Sequence, residues 1–403
     1  MRIGFLGNTN NYPFQLAEIL KAKGHDVVFI VDAAPSFRLD RPEFIQMGQI
    51  KYPYPSWIIE SNNVKFWPSK LFPTVFAKER IKILNSCDAV ILNGIGHLYK
   101  SFLDPGIPSV SLFSGTDLDI NARLDEMVKL SHKRPFNLMP VFLRKLILKK
   151  YVRNVRMGIR QASIISYFPV GFHPESDQLI EEIMKGRTYK RFEHFHIRVD
   201  NIPYAPPVPK EKICIFNLAR FIWQTPLPYG WRDWENKRND IMIRGLAGFI
   251  KNSGAALDIH FVEKGIHVDA SKMLADELGL SPYITWHKEM SLREMQDFYV
   301  KADIVFDHFG QHVLGGGLYA MAAGRPVITN TRADIFERIT KVPMEVCLAA
   351  NEKEVEAWLN ELVPDPESRK AKGIASRDYV RKYFDMEIEA DFFMKVFHEI
   401  TSK

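Results

Sequence analysis

Apolar and polar positions along the chain fall into short repeating blocks, and the spacing within each block points to its element. Arg2–Gly7 is a short apolar run that reads as a buried strand, followed by the turn cluster Gly7-Asn8-Thr9-Asn10-Asn11. Over Phe14–Lys23 the apolar positions Phe14, Leu16, Ile19 and Leu20 come close to helical spacing. Gly24 then supplies a C-terminal stop, and Asp26–Asp32 resumes as a strand. A strand, helix, strand unit predicts a parallel sheet covered on both faces. Continuous apolar runs at Ala89–Asn93, Ser109–Phe113 and Ser163–Tyr167 extend that sheet.

Asp200–Lys212 (DNIPYAPPVPKEK) carries four prolines in thirteen residues, which resists both helix and sheet and reads as a linker. Beyond it the pattern restarts. Strands are expected at Ile213–Asn217, Ala256–Val262, Ile284–His287, Asp303–Asp307 and Pro326–Asn330. Helices are expected at Asp240–Ile250, Ser271–Leu280, Leu292–Lys301 and Gly317–Ala323, and the tail Ser376–Thr401 reads as helix followed by helix. The predicted division is residues 1–199, a linker 200–212, a second α/β domain 213–378 and a terminal helical segment 379–403. Both halves are doubly wound, so a ligand is expected outside the carboxyl ends of the strands, where two domains face each other across a cleft.

Composition agrees with two cores: 46% of the 403 residues are hydrophobic. No run reaches the roughly 18 apolar residues of a membrane span, and the N-terminus has no leader-like succession, so a cytoplasmic protein is expected. Cys87, Cys214 and Cys347 are far apart and read as buried free thiols. His194 and His196 alternate in Glu193–Arg198 (EHFHIR) and would share one face of a strand. No third or fourth ligand accompanies them, so no metal site is expected.

The net charge of +6 is unevenly placed, since all nine charged residues of Lys133–Arg160 are positive. On a single helix Val141–Gln161, Lys145, Lys149, Arg153, Arg156 and Arg160 share an arc of roughly 80° at about 100° per residue. Ile147, Leu148, Tyr151, Val155 and Ile159 fall outside it. Such a face suits an anionic membrane surface, with a solvated face or an acidic polymer acceptor as the alternatives. Basic motifs interleaved with aromatics are missing from it, which argues against nucleic acid.

The densest chemistry lies in Ala302–Asn330 (ADIVFDHFGQHVLGGGLYAMAAGRPVITN). A strand ends in Asp307, a loop runs to Gly315-Gly316-Gly317, and a small-residue helix follows. Glycines there allow a phosphate to approach the backbone, and a helix N-terminus offers free N–H groups. A tight turn without ligand is the alternative.

This strand, glycine turn and AMAxGRPVI helix resemble the donor-site signature of retaining family 4 glycosyltransferases, usually E-x-F-G-x-x-x-x-E-A-M-A-x-G-x-P-V-I. The order of other segments is similar too. Asn217–Arg220 stands where that family has a glycine-arginine phosphate contact, and Lys237–Leu246 looks like K-G-x-D-x-L-I-x-A-L. Phe261–Gly265 resembles V-G-x-G, Ile284–His287 the strand before the base-binding loop, and Gly24–Val27 the opening G-H-x-V. The resemblance implies a GT-B fold and transfer of a sugar from a nucleoside diphosphate sugar to a glycan or lipid-linked acceptor, with retention and without a metal cofactor. It further implies hinge closure and a tail that packs back toward the N-terminal domain. Three positions depart from the pattern: Gln311 and Tyr319 replace the two glutamates, and Ser114 replaces the histidine of H-G-x-D in Ser114–Asp117.

The resemblance makes Arg220 and Lys237 the candidate cations for the diphosphate, where fixed positive charge stabilises the departing group. His287, Asp307, Gly315, Gly316, Gly317 and Tyr319 complete the expected donor site, with Gly7 contributing from the first domain. His97, after the strand Ala89–Asn93, is a candidate sugar contact or proton shuttle, or a satisfied loop histidine. Asp117 is a candidate general base, or a helix N-cap before Ile120–Leu130. Two rival functions remain at this point: a nucleotide-sugar epimerase on the same fold, and a catalytically impaired nucleotide-binding partner of an active transferase.

Overall fold

The computed structural model describes residues 1–33, 41–45, 50–62, 67–131, 139–205, 208, 210–228 and 233–402. Pro206, Pro207 and Pro209 of the expected linker, and Lys133 and Arg134 of the basic stretch, lie outside them. The chain forms two compact units, Met1–His196 with Met386–Lys403, and Ile197–Asp385.

In the first unit seven parallel strands run in the order β3-β2-β1-β4-β5-β6-β7. They are β1 (Arg2–Leu6), β2 (Asp26–Asp32), β3 (Ile58–Ser61), β4 (Ala89–Asn93), β5 (Ser109–Leu112), β6 (Ile164–Tyr167) and β7 (Lys190–Glu193). Alternate residues serve opposite layers, which explains why the strands are apolar throughout. Leu6, Val28, Ile30, Val90 and Leu92 enter one core, while Ile3, Phe5, Val27, Phe29 and Ile91 enter the other. That second core is closed by Phe393, Met394 and Phe397 of the terminal helix Met386–Thr401, which packs on the helix Tyr12–Ala22.

The second unit holds six parallel strands in the order β10-β9-β8-β11-β12-β13. These are β8 (Ile213–Asn217), β9 (Leu257–Val262), β10 (Ile284–His287), β11 (Ile304–Phe306), β12 (Val327–Thr329) and β13 (Cys347–Leu348). Ile213, Ile215, Ile259 and Phe261 pack against Ile243 and Leu246 of the helix Asn239–Ser253. In both sheets the order reverses beside the first strand, between β1 and β4 and between β8 and β11. The carboxyl ends of those strands are the places where such sheets hold ligands.

The structure departs from the sequence expectation in several elements. The edge strands β3, β7 and β13 carry polar residues or only two positions, too little pattern to announce a strand. The helix expected from Ser376 begins at Pro366, where Asp365 accepts hydrogen bonds from the N–H groups of Glu367 and Ser368. Finally, β7 stops at Glu193, so His194 and His196 do not share a strand face. The His194 ring instead bonds the carbonyl of Phe113 at 2.6 Å, and burial pushes its pKa down to about 4.

Candidate functional site

In the second unit, the loop after β8 is stitched to those after β9 and β11 by backbone contacts that fix two cations. Phe221 donates from its N–H to Lys264 and accepts from His267, at 2.7 and 3.0 Å. Gly265 makes this possible: its φ is +118°, and a Cβ there would lie 2.4 Å from the Phe221 carbonyl oxygen. Arg220, the preceding residue, is exposed at the edge of this clamped turn. Lys237 is held at both ends, its N–H donating to Ile222 at 2.5 Å and its carbonyl accepting from Phe309 at 2.8 Å.

The Lys237 side chain is only 8% exposed, and among the described residues its Nζ donates no hydrogen bond. Burial pushes its pKa down to about 8; Asp307 opposes that shift and Arg220 adds to it. An ammonium that burial strips of most of its water, with no hydrogen bond to replace it, is costly to keep charged. Such a group is a natural place for an anion to bind.

Asp307 follows β11 and is itself buried, accepting a 2.9 Å hydrogen bond from the N–H of Gly317. A Cβ on Gly317 would meet Asp307 Oδ2 at 2.8 Å and Leu314 Cδ1 at 2.6 Å. On Gly316 it would meet Leu218 Cδ2 at 2.7 Å and the hydroxyl of Tyr299, which donates to the Gly316 carbonyl. Only Gly315 faces open space. Gly316 and Gly317 are required by packing, and the Gly317 amide already has a carboxylate partner. The following helix, Gly316–Ala322, carries half-buried Tyr319, whose phenol pKa burial raises. Gln311 is exposed, in the left-handed region at φ +51°.

Arg220, Lys237, Asp307, Gly315–Gly317 and Tyr319 therefore gather at one place. Sequence reasoning missed His308 and Tyr299 beside them. His308 is buried, bonds the Val313 carbonyl at 2.8 Å, and is held neutral mainly by burial. Its signal was a polar residue directly after a buried strand. His287 is engaged elsewhere: its Nε2 lies 2.8 Å from Nδ1 of His260, and its ring packs against Phe298. Flanking Lys237, Asn236 and Arg238 border an open recess also lined by Trp223, Pro226 and His267.

In the first unit, Gly7 has φ +97°, and a Cβ there would stand 2.0 Å from the Asn93 carbonyl oxygen, so β1 and β4 end in direct backbone contact. Asp117 lies beside that junction, but its carboxylate is committed. It accepts from the side chain of Asn93 and the N–H groups of Gly94, Ser114 and Leu118, and contacts His97 Nε2 at 3.4 Å. With 2% exposure it fastens the ends of β4 and β5 and is not offered as a base. Nor is it the N-cap of a helix Ile120–Leu130, since the chain forms two shorter helices, Thr116–Asp119 and Leu124–Ser131. His97 has no exposed surface and packs in a tilted arrangement against Phe113, with ring centroids 4.4 Å apart.

The basic stretch forms the helix Val141–Arg160. Lys145, Lys149, Arg153 and Arg160 are exposed, although Arg160 also bonds the Ile183 carbonyl, whereas half-buried Arg156 bonds the Ala122 carbonyl and Glu182. The helix also presents Phe142 and Leu146 at 69% and 60% exposure. One turn further along the same face Lys150 lies 3.6 Å over the ring of Phe72, itself beside exposed Val75 and Phe76. No helix among the described residues is long and apolar enough to cross a membrane.

No protein-family model matches the sequence, and no curated protein matches it. Solved structures do. Sucrose-phosphate synthase of Thermosynechococcus elongatus is similar over 100% of this chain and 99% of its own, with a TM-score of 0.59 at 13% identity. Anabaena HepE, solved in complex with UDP and glucose, is similar over 99% of this chain and 100% of its own, at 0.60 and 13%. A glycosyltransferase from Rickettsia africae is similar over 99% of this chain and 98% of its own, at 0.60 and 14%. At such identities the likeness establishes the fold, which is GT-B.

Proposed function

Taking the GT-B fold as premise, we propose that the protein is a glycosyltransferase that takes its sugar from a nucleoside diphosphate sugar, with the diphosphate held at Arg220 and Lys237. The observation that carries this reading is Lys237, a nearly buried ammonium without a hydrogen-bonded partner among the described residues, at the switch point of the second sheet. HepE, solved with UDP and with UDP-glucose, supports the choice of ligand class.

Departure of a nucleoside diphosphate leaves negative charge on its terminal phosphate while the sugar carbon becomes electron-poor. Lys237 and Arg220 supply fixed positive charge where the former develops. Asp307 lies beside Lys237 and keeps the glycine turn closed by accepting from the Gly317 amide, so the cations carry the binding rather than the helix N-terminus. We propose that the transfer proceeds without a metal and with retention of configuration.

Thermal-shift screening against UDP, GDP, ADP, CMP and dTDP, alone and as sugar conjugates, tests the reading. One diphosphate series is expected to raise Tm by several degrees at about 100 Kd, equivalent to about 2.7 kcal/mol. If none does, the proposal fails. The replacement of two glutamates by Gln311 and Tyr319 favours a second reading, a nucleotide-binding partner subunit without turnover. Stabilisation without release of nucleotide from any donor would select it.

We further propose a lipid-linked acceptor approached at an anionic membrane surface. Phe142, Leu146, Val75 and Phe76 would enter the interface, with Lys145, Lys149 and Lys150 near the headgroups. Each large apolar side chain contributes about 1.5–3 kcal/mol on burial and each cation about 1 kcal/mol. Flotation with phosphatidylglycerol vesicles is expected, flotation with neutral vesicles is not, and a Phe142→Ser, Leu146→Ser double variant should reduce binding more than tenfold. Equal flotation of variant and parent would refute the surface.

A further inference from the structure

The second sheet carries a side-chain cluster that sugar transfer does not use. β8 and β9 pair in parallel with Cys214 opposite Asp258 and Phe216 opposite His260. Cys214, Asp258 and His260 therefore project from the same face. Their potential ligand atoms (the thiol sulfur, a carboxylate oxygen and an imidazole nitrogen) all lie within 4.8 Å of one another.

The histidine is already oriented. His260 Nε2 is 3.1 Å from Asp258 Oδ2, and its Nδ1 is 2.8 Å from His287 Nε2. When Nδ1–H donates to His287, the Nε2 lone pair is turned toward Asp258 and Cys214. This is the arrangement that second-shell partners impose on metal-binding imidazoles. Phe298 packs against both rings, with centroids 5.3 and 4.9 Å away, and limits their rotation.

We propose that Cys214, Asp258 and His260 bind one divalent cation of the zinc class, with His287 as the positioning residue behind His260 and water in the fourth place. Sulfur, nitrogen and oxygen donors together suit Zn2+ or Co2+ and disfavour Mg2+ and Ca2+. Binding replaces the thiol proton, which goes to solvent, so about one proton is released per ion at neutral pH. Cys214 and Asp258 are the second residues of their strands, whereas Arg220 and Asp307 follow the carboxyl ends of β8 and β11. The ion would thus staple β8 to β9, separate from the cations proposed for the diphosphate.

The test uses the full chain without an affinity tag, stripped with a chelator and titrated with Co2+. One equivalent is expected to give a thiolate-to-cobalt charge-transfer band, displaced by Zn2+ and unaffected by excess Mg2+. Cys214→Ser should abolish the band. Asp258→Asn, at a half-exposed position, should weaken Zn2+ binding by at least about tenfold, and His287→Phe by about tenfold with the band retained. Absence of the band in the natively folded chain, or its survival in Cys214→Ser, overturns the proposal. If Cys214→Ser does not fold, His260→Gln decides: unchanged Co2+ affinity and spectrum would sink the site.

Discussion

Lys237→Met is expected to raise thermal stability at pH 7 while lowering affinity for the nucleoside diphosphate about a hundredfold. The two effects share one cause. Burial depresses the Lys237 pKa to about 8, against an ordinary value of 10.5 in the unfolded chain. The folded state therefore holds its proton less tightly than the unfolded state. Below pH 8 the charged form is a cost to folding of about 3 kcal/mol, taken at about 1.36 kcal/mol per pH unit. Stability recovers as pH rises from 8 to 10.5. Met removes the charge and keeps the apolar stem, so the gain in Tm should appear at pH 7 and vanish near pH 10.5. Binding moves the opposite way, because loss of a desolvated ionic contact costs about 2–5 kcal/mol. In the parent protein affinity should fall as pH rises from 7 to 9, and Lys237→Arg should flatten that dependence. Calorimetry of unfolding and of ligand binding at three pH values checks both halves. A lysine that only decorates the surface would change neither.

The contrast between Lys237 and Asp117 shows how far the sequence could be read. Asp117 stood out because it follows a buried strand, and Lys237 because it opens a segment resembling K-G-x-D-x-L-I-x-A-L. Their neighbours decide what each does, and those come from distant segments. Asp117 takes its donors from Asn93, Gly94, Ser114 and Leu118, which turn a possible base into a fastener. Lys237 keeps its Nζ without such a partner among the described residues. The glycine turn behaves similarly, since nothing local says that Asp307 will take the Gly317 amide. The central strands were legible because continuous apolar runs have few other uses, whereas β3 and β13 depend on pairing to exist. On the helix Val141–Arg160 the angular arithmetic placed the cations on one arc. It could not foresee that carbonyls of neighbouring segments would bond Arg156 and Arg160, or that Phe142 and Leu146 would be left outside.

Glu389→Gln should stabilise the first unit at pH 8 by about 5 °C or more and leave it unchanged at pH 5. Glu389 lies on the terminal helix with no exposed surface, accepting hydrogen bonds from Ser166 Oγ at 2.9 Å and from the hydroxyl of Tyr12. Two influences compete. The hydroxyl donors favour the carboxylate, but desolvation is larger and raises the pKa to about 7 from 4.5. The folded state thus binds the proton more tightly than the unfolded chain. Its stabilising share is complete below about pH 4.5 and is lost as pH rises through 7, at most about 3 kcal/mol. Gln is neutral at every pH and can still accept from one hydroxyl, so it keeps the acid-side stability under alkaline conditions. At about 2–4 °C per kcal/mol for a domain of this size, the difference is measurable by scanning calorimetry. A variant less stable than the parent at both pH values would mean that the hydroxyl pair holds an anion. The terminal helix would then be fastened to its sheet by charge rather than by apolar packing around a neutral acid.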